Sequence, residues 1–190
     1  MKTLVLYAHP ARKSFNRQVL RKVEEALEER DYEYEVRDLY ALGFNPVLSQ
    51  TDIDSIKFQK TPDDVRVEQE LITWADQIIL IFPLWWGGMP AILRGYIDRV
   101  FSYGFAYRFD EVGSIGLLQG KRAIVLCSTG TSVEEMELTG LASSIRQIMK
   151  ESILEFCGLE VVAFNFLSAV SSVEEEMREA YFSEIKKVLV

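Results

Sequence analysis

Gln77-Ile78-Ile79-Leu80-Ile81-Phe82, followed at once by Pro83-Leu84-Trp85-Trp86-Gly87-Gly88-Met89-Pro90, is the stretch on which the fold turns. The first six residues are almost wholly aliphatic. A run this short and this apolar reads as a strand buried on both faces, and strands of that kind belong to parallel sheets covered by helices on either side. Prolines and glycines then end it.

Similar short apolar runs flank it, each separated by an amphipathic stretch, as expected for βαβ units. Upstream, Thr3 to Ala8 is a buried first strand. Ser14 to Arg30 is a helix with Phe15, Val19, Val23, Ala26 and Leu27 on one face and Arg and Glu opposite. Tyr34 to Leu39 is a second strand. Tyr40 to about Lys60, with Gly43 and Pro46, reads as a loop. Thr61-Pro62-Asp63-Asp64 starts a helix that runs to about Ala75, with Thr61 as its cap and Pro62 in its first turn.

Downstream, Pro90 opens a helix whose apolar positions Ile92/Leu93, Tyr96/Ile97 and Val100/Phe101 recur at three and four. Ser102 to Gly120 is a structured loop. Ala123 to Cys127 is the fourth strand. Leu138 to Cys157 is a helix with Leu141, Ile145, Ile148, Met149 and Phe156 facing inward. Leu159 to Phe166 is the fifth strand, and the capping box Ser172-Val173-Glu174-Glu175 opens a last helix. With right-handed crossovers, this is a doubly wound α/β domain covering residues 1–190. Its five-stranded parallel sheet has helices on both faces. The strand order 2-1-3-4-5 is the flavodoxin-like option, and from pattern alone it stands beside other doubly wound orders.

The bulk numbers narrow the function. A formal charge of −8 argues against nucleic acid or an anionic membrane surface as the main partner. No apolar run is long enough to insert in a membrane. One histidine and two cysteines without metal-like spacing make a metal site improbable and a cytoplasmic setting the simple reading.

Ligands of open α/β sheets bind beyond the carboxyl ends of the strands, where strand order reverses. Three loops therefore matter. His9-Pro10-Ala11-Arg12-Lys13-Ser14-Phe15-Asn16 has neither a dinucleotide-binding glycine pattern nor a phosphate-loop pattern. It supplies positive charge and a helix start able to face an anion; a capped helix with a solvated basic turn is the other reading. Pro83 to Pro90 offers flat apolar walls in Trp85 and Trp86, with Gly87 and Gly88 as permissive backbone, which suits a planar cofactor. The alternative is two indoles capping the core. Ser128-Thr129-Gly130-Thr131-Ser132 is rich in donors for the polar edge of a heterocycle, or is an ordinary strand-to-helix turn.

Taken together, Tyr7-Ala8-His9 with Ser14-Phe15-Asn16, Asp38-Leu39-Tyr40-Ala41, Phe44-Asn45-Pro46, Phe82-Pro83-Leu84-Trp85-Trp86, Pro90 to Gly95, Asp98-Arg99-Val100-Phe101, Phe105-Ala106-Tyr107, Ser128-Thr129-Gly130 and Phe156-Cys157-Gly158 resemble the NAD(P)H:quinone oxidoreductase branch of the flavodoxin-like superfamily. The likeness spans nearly the whole chain and is most specific from Phe82 to Tyr107. It implies a non-covalently bound flavin, with FAD preferred over FMN on the Ser14-Phe15-Asn16 match. His9, Ser14, Phe15 and Asn16 match the segment that holds the phosphates and the adenosine end. Pro83, Leu84, Trp85 and Trp86 match the segment along the isoalloxazine ring, and Ser128, Thr129 and Gly130 the loop at its polar edge. Tyr107 matches an aromatic of the substrate cavity. Gly87 and Thr131 complete the expected cofactor-binding set, and Trp86, Tyr107 and Thr129 are the residues expected nearest the chemistry. The implied reaction is ping-pong: hydride passes from NAD(P)H to the flavin, and a quinone, or an azo or nitro compound, then takes two electrons. The implied assembly is a homodimer with the site at its interface.

Two departures stand out. Where the mammalian enzymes of the family have a Tyr and a His after the fourth-strand loop, an ungapped count meets Met136 and Ala142. The second glycine usual after Gly130 is Thr131. A flavodoxin-type electron carrier and a regulatory subunit of a potassium-efflux system are the alternative functions.

Overall fold

Leu4 and Leu6 of β1 (Lys2–Tyr7) belong to one buried cluster, and Val5 and Tyr7 to another. The same alternation splits β3 (Gln77–Pro83) and β6 (Arg122–Ser128), so a single parallel sheet separates two cores. In this computed structural model, which describes residues 1–58, 60–168 and 175–189, β2 (Glu33–Asp38) and β7 (Glu160–Leu167) complete the sheet. The order is β2-β1-β3-β6-β7 with every pairing parallel. This is the expected 2-1-3-4-5 arrangement, with strand order reversing at β1 and β3.

Helix α1 (Phe15–Glu28) buries Val19, Leu20, Val23 and Leu27 on one face of the sheet, beside α7 (Glu175–Val188). The opposite face carries α3 (Asp63–Trp74), α4 (Ala91–Val100) and α6 (Leu141–Arg146), through Ile72, Leu93, Tyr96 and Ile145 among others. Each such side chain contributes roughly 1.5–3 kcal/mol by leaving water.

Four expectations need correction. The presumed loop after the second strand contains α2 (Gln50–Phe58). Its only buried residue is Asp52, which accepts from Arg99 Nη2 at 2.8 Å, while Ile53 and Phe58 stay exposed. Arg99 also donates to Asp64 at 2.6 Å and to the Asn45 carbonyl at 2.9 Å. Burial alone would raise the Asp52 pKa; Arg99 and Ser49 outweigh that and hold it below the usual carboxylate range. Its contribution is therefore complete above the unfolded pKa of about 3.9 and fades as the pH falls through the lower folded value. Second, α3 begins at Asp63, with Pro62 in the cap position and no side-chain cap bond, so Thr61 is not the cap.

Third, the segment 102–120 holds an antiparallel hairpin, β4 (Tyr107–Phe109) and β5 (Ser114–Gly116). Asp110 closes it by accepting from the N–H groups of Val112 and Gly113. Fourth, the long helix expected from Leu138 is four pieces. α5 (Val133–Leu138) stops at Gly140, whose φ of +73° breaks it. α6 runs on into a π-helical stretch, Gln147–Leu154, and a 3-10 turn, Glu155–Cys157. Ile145 and Met149 face the core as expected, but Leu141 and Ile148 face solvent. The capping box at 172–175 lies outside the described residues except for its last member.

Helix α4 meets the loop after β2 at one glycine. A Cβ on Gly95 would lie 2.0 Å from the Pro46 carbonyl oxygen, a backbone atom that cannot step aside alone. Gly95→Ala is expected to cost on the order of 3 kcal/mol, from overpacking. The midpoint of urea unfolding measures it, and an unchanged midpoint would contradict the packing.

Candidate functional site

The chain leaves β1 beside β3, where Ala8 N–H donates to the Ile81 carbonyl at 3.0 Å. His9 follows. Its Nδ1 accepts from Ala11 N–H at 3.0 Å, and its ring lies 5.8 Å from that of Trp85. Burial lowers its pKa, although the Ala11 bond opposes the shift. An imidazole that accepts at Nδ1 is neutral and carries its proton on Nε2, so His9 offers a donor on its far side. Ser14 then caps α1, its Oγ accepting from Arg17 N–H at 3.1 Å and lying 3.4 Å from the Tyr7 hydroxyl. The N–H groups of Phe15 and Asn16 open the helix and have no carbonyl one turn back, so they face outward with the positive end of the dipole.

Beyond β3, the chain reverses within two residues. Trp85 N–H donates to Gly88 O at 3.1 Å, and Gly88 N–H donates back to Trp85 O at 3.0 Å. The residues between, Trp86 and Gly87, both have positive φ, at +52° and +71°. That is the backbone of a type I′ turn, a place for Asn or Gly. A tryptophan held there costs about 1–2 kcal/mol, and its indole is fully exposed. Trp85 is also exposed, so neither indole caps the core. Gly87 has open space around it and is needed for its φ, not for a close approach.

The exit of β6 is tied to both other loops through Ser128. Pro83 pairs with Ser128 in the ladder, and Leu84 N–H donates to the Ser128 carbonyl at 2.7 Å. Asn16 Nδ2 donates to Ser128 Oγ at 2.7 Å. Thr129 spends its donors inside the protein: its N–H goes to Leu167 O at 3.0 Å and its hydroxyl to Thr131 O at 2.6 Å. The side chain of Thr129 is thus a brace for the turn, and the exposed backbone of Gly130 and Thr131 is what the loop presents.

Of the expected residues, His9, Ser14, Asn16, Pro83, Leu84, Trp85 and Ser128 meet at this edge, with Trp86, Gly87 and Gly130 in the turns that leave it. Phe15 turns its ring to α7, stacking on Phe182 at 6.1 Å, so only its backbone is available to a ligand at the helix start. Tyr107 sits in an aromatic cluster whose ring neighbours are Tyr103, Phe109 and Phe156, the last at 5.1 Å. Met136 and Ala142 are in the core, so those positions offer no protonatable group.

Of the basic lining beside Ser14, the sequence shows the charge of the first loop and hides the part that Arg17, Arg21 and Arg178 add. Arg12, Lys13, Arg17, Arg21 and Arg178 line a hollow of about 800 Å³ next to Ser14. Arg17 and Arg21 look like ordinary solvent-facing residues of α1, and Arg178 arrives from α7. Only their spacing one turn apart on the helix that Ser14 caps could have hinted at it.

A family model described as flavodoxin-like fold matches residues 1–189. An NAD(P)H oxidoreductase of Haemophilus influenzae, itself called uncharacterized, is 34% identical over 181 residues, covering 95% of this chain and 90% of that protein. Rat NAD(P)H dehydrogenase [quinone] 1 is 32% identical over 208 residues, covering 99% of this chain and 76% of the relative. Among solved structures, the NAD(P)H:quinone oxidoreductase of Methanothermobacter marburgensis superposes with a TM-score of 0.89 at 38% identity, covering 98% of this chain and 96% of that one.

The strained turn yields a test. Trp86→Asn is expected to raise stability by about 1 kcal/mol, because Asn tolerates this backbone. It is also expected to weaken binding of a planar ring by about tenfold, through loss of stacking area. Urea unfolding of the ligand-free protein measures the first effect, and titration of parent and variant with a planar aromatic ligand measures the second. A variant that binds that ligand as the parent does would remove Trp86 from the site.

Proposed function

The chain belongs to the NAD(P)H:quinone oxidoreductase family of flavodoxin-like fold, and from that membership we propose that it holds a flavin at the carboxyl edge of the sheet and passes electrons from NAD(P)H to a quinone-type acceptor by ping-pong exchange. It is an oxidoreductase. The observation that carries the reading is the meeting of three loops on Ser128, through its carbonyl and its hydroxyl. On one side stand exposed indoles, on the other a helix start with a basic hollow beside it.

These residues suit a flavin. Trp85 and Trp86 supply apolar walls, and the backbone of Gly130 and Thr131 supplies polar contacts at the ring's edge. Asn16 Oδ1 is buried without a hydrogen-bond partner and awaits a donor. The bound flavin supplies the redox chemistry, accepting two electrons and later releasing them. The protein's part is to orient the ring, to keep water from it with the indoles, and to anchor the tail. With Met136 and Ala142 in the core, any proton needed by the acceptor comes from solvent or from the acceptor's own surroundings.

The basic hollow favours FAD over FMN. A single phosphate is served by the helix start alone, whereas five cations gathered beside it in a chain of net charge −8 suit a diphosphate and its adenosine. A second copy of the chain completes the cavity in this reading. Trp86, Leu138 and Ile148 are large, apolar and exposed, as are Tyr103 and Phe109, whose rings stack at 6.3 Å, and a second copy covering them would remove that surface from water. Tyr107 would then serve the ring of the opposite protomer. Two free, buried cysteines accord with a cytoplasmic protein.

The purified chain is expected to be yellow, to release FAD, and to oxidise NADH or NADPH once menadione is added. A flavin-loaded protein inert to both nicotinamides would end this reading. Arg21→Glu is expected to weaken FAD by about tenfold and FMN far less, through charge reversal at the hollow. Equal losses, compared by isothermal titration, would contradict the assignment of the hollow to the second phosphate.

A further inference from the structure

Gly116 ends β5 directly across the hairpin from Tyr107. Opposed residues of an antiparallel pair point to the same face, so a side chain on Gly116 would stand beside the Tyr107 ring. Backbone takes that space instead. A Cβ on Gly116 would lie 2.3 Å from the Gly158 nitrogen and 2.4 Å from the Cys157 carbonyl carbon. Close by, Leu118 N–H donates to the Cys157 carbonyl at 2.8 Å and holds the two segments together. Gly104, Gly113 and Gly120 of the same segment have positive φ and open space around them, so they serve turns. Gly116 has no positive φ, and close approach is what requires it.

The contact carries an aromatic ring with it. Cys157 and Gly158 follow Phe156, whose ring meets that of Tyr107 at 5.1 Å. Strands of three residues pair too little to hold a hairpin by themselves, and β4 and β5 form a sheet of their own. The hairpin therefore takes its position from what lies beneath it.

On the reading given above, in which Tyr107 lines the acceptor cavity, we propose that Gly116 is a positioning residue for the acceptor. It lets the Cys157–Gly158 backbone lie under the hairpin, which sets Phe156 against Tyr107 and fixes where the Tyr107 ring stands. A methyl group at position 116 lifts the hairpin off that backbone and carries Tyr107 away from Phe156. Tyr103 and Phe109, which pack on Tyr107 at 5.9 and 5.8 Å, move with it. The acceptor then loses a wall that it touches equally before and during electron transfer, so its binding weakens while turnover holds.

A double-mutant cycle in the flavin-loaded protein tests this, with menadione as acceptor and flavin content measured for every variant. Gly116→Ala is expected to raise KM for menadione about tenfold, with kcat and bound flavin within about twofold of the parent. In a Tyr107→Leu background the same substitution is expected to leave KM unchanged, because the ring it displaces is gone. Near-ultraviolet circular dichroism of the flavin-stripped proteins reads the ring contact without turnover. Gly116→Ala is expected to weaken the tyrosine band, and a band like the parent's would overturn the proposal. A parental KM in folded Gly116→Ala, whether or not flavin is lost, would make Gly116 a residue of the fold alone and overturn it. An equal rise of KM in both backgrounds would overturn it too. Should Gly116→Ala fail to fold, Gly158→Ala repeats the cycle, since its Cβ meets first the flexible side chain of Gln119, at 3.1 Å. Tyr107→Leu with the parental KM would remove Tyr107 from the cavity, and the proposal with it. A parent protein that reduces no menadione would instead sink the quinone-reductase reading.

Discussion

Ser128 is where the molecule is tied together. It ends a central strand, takes the Leu84 N–H on its carbonyl and the Asn16 amide on its hydroxyl, and so locks the exits of β3 and β6 to the start of α1. The bonds are short because the ladder beneath them is in register from Gln77–Arg122 up to Pro83–Ser128. A slip of one residue would reverse every side chain in β6 and put the Ser128 hydroxyl on the wrong face. The site thus inherits its geometry from the packing of two cores against one sheet.

Around this junction the protein separates its tasks. Strain is concentrated in the turn at Trp86, where a large aromatic is held in a backbone suited to glycine and lifted clear of the core. Positive charge is concentrated beside Ser14, against the sign of the whole chain. The buried ion pairs lie elsewhere, at Arg99 with Asp52 and at Arg37 with Glu68, where they pin α2 and β2 to neighbouring helices. Their role is architectural, since removing one partner would strand a buried charge.

The strands were legible because four of them are short apolar runs and the second alternates, with amphipathic stretches between; their order stood beside other doubly wound orders on pattern alone, and the flavodoxin-like one is what the structure has. The central run at Gln77–Phe82 could be read without context. What was not legible has a physical cause in each case. α2 has one buried residue, and that residue is a carboxylate, so no apolar periodicity announces it. The hairpin strands at Tyr107 and Ser114 are three residues each, below the length at which alternation can be seen. The break at Gly140 and the π-helical turns after it shift the phase of the pattern, which is why Leu141 and Ile148 look inward-facing and are not. In the site, His9, Ser14, Asn16 and Ser128, which local motifs single out, lie at one edge of the sheet. Arg178 could not be placed, because it reaches the hollow only through the docking of α7 on α1.

The central claim is that the exits of β1, β3 and β6 together hold a flat redox ring and its phosphate tail. A crystal structure of the protein as purified tests it most directly. The account requires density for the ring between the Trp85–Trp86 turn and the Gly130–Thr131 backbone, with the first phosphate on the N–H groups that open α1. A flavin seated on any other edge of the sheet, or a tail leading away from Ser14, would contradict it.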